Sequence, residues 1–223
     1  MKKGKLEIAC FNLESAIIAQ DNGADRVELC ANMKEGGTTP DFEITKAVRN
    51  TLSIDLNVMI RPRGGNFVYS DFEFEQMKSE ISTFKKLEVD GFVFGILNED
   101  GSLNELQNAE LVALANPLPC TFHRAFDGMI NKFQALESLI ECGFKTILTS
   151  GEETNVVDGI DVLATLVEKA NNRITIMPGG GLRSTNVRLL KEKTKAVFYH
   201  SSAITDSGEI ANQQEIQSIK ANL

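Results

Sequence analysis

Eight short runs rich in β-forming residues alternate with eight longer amphipathic stretches along the whole chain, and that alternation leaves few folds open. The runs cover residues 6–10, 26–30, 56–61, 91–95, 120–124, 146–150, 174–178 and 196–200. The stretches between and after them, 13–22, 41–51, 71–87, 103–115, 132–142, 156–171, 184–192 and 213–221, have the length and period of helices. A strand followed each time by room for a crossover helix builds a parallel sheet. Eight such units predict a closed (β/α)8 TIM barrel, and 223 residues suit one barrel as a single domain spanning 1–223. No Pro/Gly-rich linker divides the chain. The competing open doubly wound sheet needs a glycine-rich turn after its first strand, and here Cys10 is followed by Phe11, Asn12 and Leu13.

Local signals punctuate the same pattern. Ser70 and Asp71 precede an apolar stripe with Glu73 and Glu75 in its first turn, which suits the positive end of a helix, and Ser184 is expected to play the same part further on. Gly23 and Gly143 follow two of the helices as left-handed stops.

The formal net charge of -8 opposes binding to a phosphate backbone, and no local basic patch offsets it, so nucleic acid is not an expected partner. No apolar run approaches the roughly 20 residues of a membrane helix. The basic start from Met1 to Lys5 leads into an apolar run too short for a signal peptide, and a cytoplasmic location is expected. In that reducing setting Cys10, Cys30, Cys120 and Cys142 are free thiols, and without a CxxC pair a closed zinc site is not expected.

Unusual polar residues gather at the C-terminal ends of the expected strands, the face on which barrels carry their sites. The third strand ends in Arg61, Pro62, Arg63, Gly64 and Gly65, two guanidiniums beside one mouth. These either bind an anion or pair with Glu7, Glu28 or Asp127. Glu7 and Glu28 sit within apolar strands, where a carboxylate is costly unless paired, so a charge network across the barrel is expected, with the arginines and His123 as its cations. The fifth strand brings His123, Arg124 and Asp127 to one end, and His200 ends the eighth. Each imidazole could serve as acid, base or ligand, or as a structural hydrogen-bonder. Thr149 and Ser150, Gly179 and Gly180, and Ser201 and Ser202 close the last three strands with small residues whose backbone N–H groups can hold an anion or merely make tight turns.

These motifs together are specific. NGADRVELC at 22–30, EGGTTP at 35–40, IRPRGGNF at 60–67, TFHRAFD at 121–127, LTSG at 148–151, PGGG at 178–181 and HSSA at 200–203 make the chain resemble the CutC copper-homeostasis family of (β/α)8 proteins over essentially its whole length. The resemblance implies a cytosolic barrel involved in copper handling, with Cu(I) held by cysteines on the first two strands. Cys30 matches one of them. Where relatives carry the other, this chain has Ala9, and Cys10 comes one residue later. Strand alternation points Cys10 away from Glu7 and Ala9, so a Cys10/Cys30 metal site requires a bend or a bulge. Phe198 stands where relatives often carry an acid, and the C-terminal tail is shorter than theirs.

Three functions follow for the same residues. Copper homeostasis with bound Cu(I) is what the resemblance implies. An enzyme acting on a small phosphorylated or carboxylated molecule would use Arg61, Arg63, Arg124 and the glycine loops to hold the anion, with Glu28, His123 and Asp127 as the catalytic candidates. A non-catalytic scaffold would need no ligand at all. A barrel of this kind is compatible with a homodimer.

Overall fold

In the computed structural model, which describes residues 3–223, the sheet is parallel and eight-stranded in the order β7-β6-β5-β4-β3-β2-β1-β8. The strands are β1 (Lys5–Cys10), β2 (Arg26–Leu29), β3 (Asp55–Met59), β4 (Gly91–Phe94), β5 (Cys120–Phe122), β6 (Thr146–Thr149), β7 (Thr175–Pro178) and β8 (Phe198–Ser201). Strands β7 and β8 lie side by side and complete the ring. Around it run α1 (Leu13–Asp21), α2 (Phe42–Thr51), α3 (Asp71–Phe84), α4 (Glu105–Ala115), α5 (Lys132–Cys142), α6 (Ile160–Ala170), α7 (Val187–Thr194) and α8 (Gln213–Asn222). This is the (β/α)8 barrel that the alternation predicts.

Each strand sorts its side chains by alternation. Outward residues such as Ile8, Cys10, Val27, Leu29, Val58, Phe92 and Phe94 join the helices in one continuous apolar layer. Cys30, Met59 and Val93 form a separate small apolar cluster, capped by Phe11, that belongs to the inside of the barrel. Phe144 ties two strands to the outer layer, with its ring 5.2 Å from Phe94 and 5.4 Å from Phe122.

Helix ends follow local chemistry. Ser70 and Glu73 form a full capping box before α3, and Gly143 takes a left-handed φ of 96° after α5. Ser184 does not cap α7. Its N–H and hydroxyl both donate to Glu215 on α8, and the helix starts only at Val187. Helix α6 begins four residues later than the apolar pattern suggests, because the Val156 N–H donates to the Gly180 carbonyl and holds that segment against the β7 exit. Strand β8 starts at Phe198 rather than 196, since the Ala196 N–H is taken by the Thr194 hydroxyl. Strand β5 stops at Phe122 because the His123 ring accepts the Ala125 N–H and turns the chain into a short 3-10 segment, Arg124–Gly128.

Candidate functional site at the barrel mouth

The strand register lays charge across the inside of the barrel. Glu7 on β1 is the direct neighbour of Arg26 on β2 and of His200 on β8. Glu7 is wholly buried, forms an ion pair with Arg26, and lies 2.7 Å from Nδ1 of His200. Arg26 also stacks 4.2 Å over the ring of Phe198 and reaches Met177 Sδ at 3.6 Å. An aromatic face under a guanidinium is favourable, so Phe198 supports the Arg26 side chain in this network. Burial works against the Glu7 charge, but Arg26 and His200 outweigh it and bring the carboxyl down to about 2.

Two residues further up β2, Glu28 is buried with Oε2 at 3.8 Å from His200 Nε2 and 3.5 Å from the Cys30 thiol. Burial lifts its carboxyl, and the Glu7 charge adds to that lift against the pull of His200, to about 7. Burial also opposes charge on His200, yet Glu28 and Glu7 together raise that imidazole above its ordinary value. A charge network is therefore present, but its cations are Arg26 and His200 and not the expected third-strand arginines and His123. The arginines of the third strand end serve other purposes. Arg61 donates to the carbonyls of Glu35, Gly37 and Gly65 and staples the loop after β2 to the loop after β3, while Arg63 turns away to Glu73 on α3.

Above this network opens a cavity of about 490 Å³ at the C-terminal ends of the strands. Of the residues singled out in the sequence, Glu28, Cys30, Arg61, His123, Arg124, Gly180, His200, Ser201 and Ser202 line it. Glu7, Cys10, Arg63, Asp127, Thr149, Ser150 and Gly179 do not. Cys10 is directed outward by unbroken alternation, with no bulge in β1, and its thiol donates to the Ile8 carbonyl within the apolar layer under the helices. Asp127 is drawn sideways by the 3-10 turn, where it accepts from the Thr149 hydroxyl at 2.5 Å, the Ser150 N–H at 3.1 Å and Arg124 Nε at 2.8 Å. It joins the exits of β5 and β6 instead of facing the cavity.

Arg26, Met33, Met59, Phe67 and Arg183 also belong to this region, although nothing in their sequence setting marks them as site residues on its own. Arg26 shares its face with Glu28 by strand alternation, and that spacing was the available signal. Arg183 follows the glycine run directly and donates to the Leu182 and Ile204 carbonyls and the Ser201 hydroxyl. His123 is buried with its ring 4.7 Å from Phe67, and burial together with the nearby Arg61 charge lowers it to about 3. It is neutral at ordinary pH. Gly180 takes a φ of +103°, and a Cβ there would lie 3.0 Å from Ser150 Cβ and 3.1 Å from the Arg124 guanidinium carbon, so only glycine suits this wall.

Residues 4–205 match the model of the CutC family. This chain belongs to the CutC family. A human protein named copper homeostasis protein cutC homolog is 43% identical over 205 residues, covering 91% of this chain and 75% of that protein. A family protein CutC from Parabacteroides distasonis is 46% identical over 199 residues, covering 89% of this chain and 82% of its own length. The crystal structure of the CutC protein from Streptococcus agalactiae superposes with a TM-score of 0.87 at 35% identity, over 91% of this chain and all of that one. The CutC fold is thus a barrel of the kind described above, and in this chain Ala9 and Cys30 both line its mouth.

Two donor sets could meet a metal ion here. Glu7, Glu28 and His200 present ligand atoms within 4.8 Å of one another, but they are oxygen and imidazole donors, and Arg26 already holds the Glu7 carboxylate. Cys30 and Met59 instead offer sulfur, which suits Cu(I). Gly37, at a φ of +90°, lets the loop after β2 close over both: its missing Cβ would stand 3.3 Å from Cys30 Sγ and 3.6 Å from Met59 Cε.

Proposed function

We propose that this CutC chain acts in copper homeostasis and holds Cu(I) as cargo at the barrel mouth through Cys30 and Met59. Relatives named for copper homeostasis support the role, and the pairing of a thiol with a thioether on the cavity wall supports the ligands. Met33 lines the same cavity and adds a second thioether within the chain's reach. Cys10 is excluded from this reading because its sulfur lies on the other side of the sheet. The Glu7, Glu28 and His200 group is read as an ion-pair network, since Cu(I) prefers soft ligands and Arg26 would compete with any cation there.

The test is an anaerobic competition of the reduced protein against a chromogenic Cu(I) chelator. The expected result is one Cu(I) withdrawn per chain, an affinity lowered about 100-fold or more in Cys30→Ser, and an affinity within about threefold of the parent in Cys10→Ala. Equal losses in the two variants, or no competition by the parent, would refute it.

A further inference from the structure

Buried polar atoms without a partner are rare in folded proteins, and each asks for an explanation. Among the described residues, five side-chain atoms are buried and unpartnered; Arg61 Nε and the Tyr69 hydroxyl belong to side chains that already interact with each other, whereas Glu28 Oε1 and His123 Nε2 have no such neighbour and, with Arg61, belong to residues lining one cavity. Their hydrogen-bonding roles can be read from their other contacts. His123 Nδ1 accepts the Ala125 N–H at 3.3 Å, so in the neutral ring the proton sits on Nε2, which becomes a donor. Arg61 Nε is also a donor, and Glu28 Oε1 accepts a hydroxyl hydrogen or, when the carboxyl is protonated, pairs with the same hydroxyl as donor. Phe67 lies over both donors, 4.9 Å from the Arg61 guanidinium and 4.7 Å from the His123 ring, and is half-buried at the cavity edge.

Charge points the same way. Arg61 and Arg183 donate to backbone carbonyls and a serine hydroxyl, and neither has a carboxylate partner among the described residues. They reach the cavity from β3 and from the loop after β7, which lie on opposite sides of an eight-stranded ring. A guanidinium spent only on neutral acceptors retains a full charge for an incoming anion.

We propose that the mouth of the barrel binds a small hydroxylated anion, whose carboxylate or phosphate head meets Arg61 and His123 in the field of Arg183 across the cavity and whose hydroxyl meets Glu28. The cavity has the volume of a small-molecule site, about 490 Å³. The bound state requires Phe67 to move aside, which would open Arg61 and His123 Nε2 to the head group. This inference does not rest on copper, and its test uses metal-free protein.

The full-length chain, treated with chelator, is titrated by calorimetry and by thermal melting with D-glycerate, with glycerol 3-phosphate, and with glycerol and inorganic phosphate as controls. Saturable binding of either hydroxylated anion, tighter than both controls by about tenfold or more, is the expected result. Glycerate alone assigns a carboxylate head and glycerol 3-phosphate alone a phosphate head. His123→Phe keeps the ring and Arg183→Gln keeps a polar side chain, and each is expected to weaken binding about tenfold or more while melting within a few degrees of the parent when no probe is present. Three results overturn the inference: failure of both anions to bind at about 10 mM, controls that bind as well as the anions, or unchanged anion binding in both variants.

Discussion

Arg26→Met is expected to destabilise the fold by about 3–5 kcal/mol at pH 7, because it leaves the Glu7 carboxylate buried without its guanidinium. Glu7 is wholly inaccessible, and the neighbouring imidazole of His200 must already balance Glu28 as well. The pH dependence carries a sign. In the parent, Glu7 titrates at about 2 in the folded state against an ordinary value of 4.5, so its stabilising contribution is complete above about 4.5 and is lost as pH falls toward 2. In Arg26→Met the carboxyl loses its main cationic partner and takes up a proton at higher pH, so the gap between variant and parent narrows as the solution is made acidic. Adding Glu7→Gln to Arg26→Met should recover part of the loss, since it removes the orphaned charge. Urea melts of the two single variants and the double variant at pH 7 and pH 5 check all three statements. A loss below about 1 kcal/mol would mean that Glu7 reaches water or another cation.

Asp127→Ala is expected to cost about 2–4 kcal/mol, more than one ordinary hydrogen bond, because a single carboxylate accepts from five donors. The Thr149 hydroxyl and the Ser150 N–H are left in a buried setting, and Arg124 loses its only carboxylate partner among the described residues. The loss should appear as a lower melting midpoint by roughly 5–15 °C for a chain of this size. Cu(I) affinity should stay within about threefold of the parent, since the carboxylate does not face the cavity. A variant as stable as the parent but unable to bind Cu(I) would place Asp127 at the site instead of beneath its wall.

Much of the architecture was legible from the chain because it rests on local rules. Strand and helix alternation, the capping box at Ser70 and the left-handed stop at Gly143 each depend on residues close in sequence. Boundaries moved where a distant group took over a backbone donor, as Gly180 does for Val156 and Glu215 does for Ser184. The mouth of the barrel was legible as a face, since Glu28, Arg61, His123 and His200 all fall near strand ends, and alternation alone turned Cys10 away from it.

Partners were harder to read. Glu7 was expected to find its cation among the arginines at the strand ends, but the register places Arg26, from the start of β2, beside it. Register is a property of two strands and is not written in either one. Asp127 looked catalytic because it follows His123 and Arg124 so closely, and the 3-10 turn that carries it to Ser150 starts with hydrogen bonds from Ala125 to the His123 ring and from Phe126 to the His123 carbonyl. Met59 was overlooked because a methionine within an apolar strand has no signature until Cys30 is seen beside it.

The most direct test of the sulfur site is X-ray absorption at the copper edge on the Cu(I)-loaded chain. The proposed ligands predict a first shell dominated by sulfur, lost in Cys30→Ser and changed in number by Met59→Leu. A first shell made only of oxygen and nitrogen would contradict them and would move the ion to Glu7, Glu28 and His200.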